Sequence, residues 1–124
     1  MRNSSTASLP SLSIRLDLDA DCHIGPGKIQ LLEQIHACGS ISGAGRAMEM
    51  SYRHAWDLVD EINRICRRAA VERQKGGKNG GGAMLTPFGL LLVARYRKIE
   101  RSAASAARKE LHALRADIVV GPKG

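Results

Sequence analysis

The chain has 124 residues, 44% hydrophobic and 25% charged, with a formal net charge of +7. That is enough for a single hydrophobic core in an ordinary globular composition. An isoelectric point near 9.8 points to polyanionic partners, nucleic acid before an anionic membrane surface. No apolar run approaches the roughly 20 residues that span a bilayer, so no membrane role is expected. Residues 1–10 are rich in Ser and Thr and carry no apolar h-region, so they read as a loose tail rather than a secretory signal. Cys22, Cys38 and Cys66 are odd in number and widely spaced. They form no disulfide framework and no zinc-type C-x-x-C pair, which fits a reducing cytoplasm and three small buried hydrophobes.

In chain order, Leu12, Ile14, Leu16 and Leu18 alternate with polar residues and predict a half-buried strand. Asp19–Asp21 and Gly25-Pro26 punctuate the chain as turns. Ile29, Leu32 and Ile35 then recur at helical spacing, with Pro26 suited to the first turn and Gly39 to the exit, which predicts a helix over about 26–38. A short helix follows, capped by Ser40 or Ser42, with Ile41, Ala44, Ala47 and Met48 toward the core. Its other positions are small, as close packing against a second helix requires. Glu49-Met50 makes a tight turn. Ser51 caps a longer helix in which Ala55, Leu58, Val59, Ile62 and Cys66 recur at helical intervals. This is a helix-turn-helix pattern.

Val71–Lys75 and Ala83–Leu85 flank a glycine-rich tip, Gly76–Gly82, and predict a hairpin. Thr86-Pro87 opens the last helix, with Thr as N-cap and Pro at the first position. Leu92, Tyr96, Ile99, Ala103 and Ala106 step along it, and Ala107, Leu111, Leu114 and Ile118 continue one residue out of phase. Helical to about Arg115, it would reach roughly 40 Å at 1.5 Å per residue. Such a helix overshoots a small domain, so part of its apolar seam is expected to meet a partner.

The helix from Ser51 leaves Ser51, Tyr52, Arg53, His54 and Asp57 on or near its outer face. A recognition helix meets base edges with its first turns, and Arg53 is the side chain to reach guanine N7 and O6 in the major groove. Trp56 reads as a packing anchor at the core edge rather than a base contact. The hairpin is cationic through Arg73, Lys75 and Lys78, suited to phosphate. Ser42, Arg46 and Thr86 complete the expected DNA-binding set. Gly76–Gly82 superficially invites a nucleotide-binding loop, but Lys78 is followed by Asn79, and the next helix opens only at Thr86-Pro87. No nucleophile–base pair is signalled, so neither catalysis nor a cofactor is expected.

The run Gly39-Ser40-Ile41-Ser42, then Met50-Ser51-Tyr52-Arg53-His54-Ala55-Trp56-Asp57, then Gly76–Ala83 with Leu85-Thr86, closely resembles the DNA-binding domain of the ModE-type molybdate-responsive regulators. The helix-turn-helix is also similar to that of the LysR-type regulators, a less specific match. The resemblance covers the chain from about Leu12 to the last helix. It implies a winged-helix homodimer whose long terminal helices pair two subunits on double-stranded DNA, in the regulation of molybdenum-related genes. Members of that family continue into oxyanion-binding barrels. The sensing residues of those barrels have no positions here, so molybdate is not expected to bind these residues.

The reading is therefore an α+β, mainly α, winged helix-turn-helix with an N-terminal strand, a two-stranded wing and a long dimerisation helix. Its expected divisions are a tail (1–10), a DNA-binding domain (11–86), the dimerisation helix (87–116) and a second tail (117–124). Leu92, Tyr96, Ile99, Ala103, Ala106 and Leu111 are the expected dimer seam. The rival reading is a winged-helix interaction module without DNA binding. The cationic wing and Arg53 speak against it.

Overall fold

The computed structural model describes residues 10–74 and 82–119. The chain divides into two compact units, Ile14–Tyr96 and a second made of Met1–Ser13 with Arg97–Gly124. In the first unit only the end of the alternating stretch becomes a strand, β1 (Leu16–Asp19). It pairs antiparallel with β2 (Cys22–Ile24), Leu16 opposite Ile24. The Asp19 carboxylate accepts the Asp21 N–H at 2.9 Å and closes the turn between them. Three residues between Asp21 and Gly25 are too few to show alternation, which is why β2 is not foreseen from sequence.

α1 (Pro26–Cys38) has the bounds that its spacing predicts, with Pro26 in the first turn. It ends at Gly39, whose left-handed backbone (φ 74°) lets its N–H reach the Ile35 carbonyl at 2.8 Å. Ile29, Leu31, Leu32 and Ile35 are fully buried. Each such side chain contributes about 1.5–3 kcal/mol relative to exposure.

α2 (Ile41–Ala47) is capped by Ser40, whose Oγ accepts the Gly43 N–H at 2.9 Å, so Ser42 lies inside the helix rather than at its cap. Ile41 and Ala44 are buried as expected, but Ala47 is exposed and Gly45 takes its place in the core. At about 100° per residue, position 47 falls well off the 41–44–45–48 seam. A Cβ at Gly45 would stand 3.2 Å from the Ala55 Cβ, so this crossing needs a very small side chain. The turn that follows places Glu49 at φ 57° and returns the Met50 N–H to the Gly45 carbonyl at 2.9 Å.

α3 (Tyr52–Cys66) is capped by Ser51, whose Oγ accepts the His54 N–H at 3.1 Å. Ala55, Val59 and Ile62 are its buried face. Beyond it, the Asn63 Oδ1 accepts the Ala70 N–H at 2.7 Å and the Val71 N–H at 3.3 Å, fixing the turn into the next strand. β3 (Val71–Arg73) pairs antiparallel with β4 (Ala83–Leu85), Val71 opposite Leu85. The Ala83 N–H donates to the Gly39 carbonyl at 2.9 Å, which ties β4 to the α1–α2 turn. Lys75 and most of the glycine-rich tip, including Lys78, lie outside the described residues.

α4 (Pro87–Val119) runs four residues past the expected end at Arg115, so positions 117–119 are helical rather than tail. It belongs to both units, Pro87–Tyr96 to the first and Arg97 onward to the second. Tyr96 is core, not seam: it is 1% exposed and its hydroxyl donates to the Ile14 carbonyl at 2.7 Å. Leu92 is half-buried against the same core. In the second unit Ile99 and Ala106 are exposed, and Ala103 and Leu111 half-buried.

The cysteines depart from expectation in one case. Cys22 is buried and Cys66 half-buried, but Cys38, at the end of α1, is exposed. Burial and the neighbouring Cys22 thiol push Cys66 up to about 11. Cys66 is therefore largely protonated, and unreactive as a nucleophile, at pH 8. Brief treatment with iodoacetamide at that pH should modify Cys38 first, as read by peptide mass spectrometry. Equal labelling of Cys66 would contradict this packing.

Candidate nucleic-acid interface

The first turns of α3 stand clear of the core. Ser51, Tyr52, Arg53, His54 and Asp57 are all exposed, Tyr52 by 57%. The reason is local: the Ser51 cap starts the helix at Tyr52, and Ala55, Val59 and Ile62 then claim the inward face. Arg46 is exposed in the last turn of α2, and Ser42 is half-buried in its first. α2 and α3 approach so closely at Gly45 and Ala55 that only a very small side chain fits there, so the outer face of α3 is presented by a packed helix pair rather than a lone helix.

The wing adds Arg73, exposed at the end of β3, with its guanidinium carbon 4.8 Å from the centroid of the Trp56 ring. Trp56 is half-buried against the core, with Tyr52 edge-on to it at 6.2 Å between centroids. Sequence reading names all three residues but not their contact, because Arg73 and Trp56 lie in different elements.

Thr86 does not join this surface. It is 8% exposed, its Oγ1 donates to the Ala69 carbonyl at 2.7 Å and accepts the Gly89 N–H at 3.0 Å. Its one O–H donor is spent on closing the Ala69–Ala70 turn and its oxygen caps α4, so this buried hydroxyl has no donor left for a DNA phosphate.

Elsewhere in the first unit, Asp17 accepts from Arg15 Nε at 2.7 Å and lies 2.7 Å from His23 Nδ1. The Arg15 guanidinium and then His23 hold its carboxyl below the usual carboxylate range. This exposed cluster lies on the β1–β2 hairpin and needs no ligand to explain it. Among the described residues, no group of three His, Cys, Asp or Glu could hold a metal ion, and no helix is long and apolar enough to cross a membrane.

A short capped helix, a tight turn and a longer helix with an exposed start, followed by a two-stranded antiparallel pair, define a winged helix-turn-helix. No protein-family model matches the chain. It is 38% identical over 89 residues to the transcriptional regulator ModE of Haemophilus influenzae, covering 72% of this chain and 35% of that protein. The DNA-binding transcriptional dual regulator ModE of Escherichia coli is 41% identical over 88 residues, 71% of this chain and 32% of its own length. The molybdenum-pterin-binding protein MopB of Rhodobacter capsulatus is 40% identical over 101 residues, 79% of this chain and 37% of its own. Among solved structures, the full-length LysR-type regulator LysG of Corynebacterium glutamicum superposes with a TM-score of 0.54 at 25% identity, over 72% of this chain and 29% of that one. Over these residues the chain is homologous to the ModE transcriptional regulators. It spans about a third of the length of the curated relatives it matches.

Proposed function

We propose that the chain binds double-stranded DNA as a transcriptional regulator of molybdenum-related genes. The observation that carries this is the exposed first turn of α3, held on a closely packed helix pair in a chain homologous to ModE regulators. Arg53, with Ser51, Tyr52, His54 and Asp57, faces base edges in the major groove, while Ser42, Arg46 and Arg73 engage phosphates beside it. Lys75 and Lys78 supply further charge to the wing. Two copies pair through the distal part of α4, where Ile99, Ala103, Ala106 and Leu111 form the seam once Tyr96 and Leu92 are assigned to the core. The protein works in the cytoplasm.

These residues hold DNA without molybdate. A tetrahedral oxyanion needs converging donors. The donors with that chemistry here, at the start of α3 and on the wing, are those turned toward DNA phosphate. An oxyanion bound there would compete with DNA.

Arg53→Ala tests the reading. On duplexes selected from a random pool by the unmodified protein, it should cost about 1–3 kcal/mol of affinity and relax preference at one or two base positions. A variant that keeps its full base preference would remove Arg53 from the groove.

A further inference from the structure

Two cationic side chains of the first unit lie over aromatic rings, Arg68 over Phe88 and Arg73 over Trp56. Only the second connects the wing to the helix that carries Arg53. The Trp56 ring is fixed from beneath by the core, and Tyr52 leans on it edge-on from one turn earlier in α3. Arg73 sits above it, the last residue of a three-residue strand. Among the described residues, no hydrogen bond or ion pair engages the Arg73 guanidinium. A guanidinium held over a ring keeps N–H donors for a second acceptor, because the ring contributes its face and not a lone pair. Left alone, an exposed arginine at a strand end would sample many rotamers and lose that freedom on meeting a ligand.

We propose that Trp56 is a positioning residue that holds Arg73 ready for a DNA phosphate flanking the groove read by α3. This rests on the DNA-binding reading above. Trp56 itself touches no DNA. It sets the wing cation at a fixed place relative to Arg53, so that backbone grip and base reading are engaged together.

The test combines a double-mutant cycle with the fluorescence of the protein's single tryptophan. Arg73→Ala should weaken duplex binding roughly fivefold to tenfold and lower the salt slope by about one phosphate contact. Trp56→Leu should produce the same loss and the same change in slope, yet cost nothing further when Arg73 is already Ala. Trp56→Phe keeps a ring face and should restore most of the affinity. Without DNA, Arg73→Ala should change the Trp56 emission spectrum. The role is overturned if Trp56→Leu weakens binding equally in both backgrounds or leaves the salt slope unchanged, since that is what a purely structural tryptophan would do. Unchanged emission in Arg73→Ala would overturn it as well. If the unmodified protein bound no duplex, the regulator reading and this role for Arg73 would fall together, while the emission spectrum would still report the Trp56–Arg73 contact on its own. Urea unfolding of each variant keeps loss of fold apart from loss of binding.

Discussion

Gly89→Ala should unfold far more easily than the unmodified protein, although alanine is the better helix former. Gly89 is buried in the first turn of α4, and a Cβ there would lie 2.2 Å from the Ala70 carbonyl oxygen and 3.1 Å from its carbon. Those atoms are backbone and are held from three sides. Asn63 accepts the Ala70 and Val71 N–H groups, Thr86 Oγ1 donates to the Ala69 carbonyl at 2.7 Å, and the Thr86 N–H donates to the Ala70 carbonyl at 2.9 Å. Relief of the clash must pull α4 away from this turn and break part of that network. Overpacking of this kind costs roughly 1–3 kcal/mol, and more when buried hydrogen bonds go with it. The gain from replacing glycine in a helix offsets about 1 kcal/mol. A net loss of about 2–3 kcal/mol corresponds to a fall in melting temperature of roughly 10–20 °C for a domain of this size. Gly27→Ala is the control, since nothing stands within 4 Å of a Cβ there and that variant should be neutral or more stable. Similar melting of Gly89→Ala and the unmodified chain would contradict the described packing at the foot of the wing.

What sequence could tell about this fold follows from how far each signal reaches along the chain. Pro26 marks a helix start through its fixed φ, and Gly39 and Ser51 mark helix ends through bonds to residues three or four positions away, so α1 and the start of α3 are legible. The outward set Ser51–Asp57 follows from the inward set Ala55, Val59 and Ile62, again a local relation. Thr86 and Tyr96 fail for the opposite reason. The Thr86 hydroxyl is spent on Ala69, 17 positions earlier, and the Tyr96 hydroxyl on Ile14, 82 positions earlier. Spacing along one helix places Tyr96 on an apolar stripe. It cannot tell whether that stripe meets the chain's own core or a second copy. Arg73 over Trp56 was hidden in the same way, because the contact crosses from strand to helix.

The most direct measurement is the affinity for a selected duplex, read by fluorescence anisotropy across salt. Arg46, Arg53 and Arg73 are three exposed cations on one protomer's proposed surface. Arg46 and Arg73 are assigned to phosphates and Arg53 to a base edge, so two protomers on one site would engage at least about four phosphates. With a log–log slope near −0.9 per phosphate released, affinity should fall at least about a hundredfold between 50 and 200 mM salt. Adding molybdate should leave it unchanged or weaken it. Absence of duplex binding at 50 mM salt, with the chain folded, would contradict the DNA-binding assignment and leave the winged helix as a platform for other proteins.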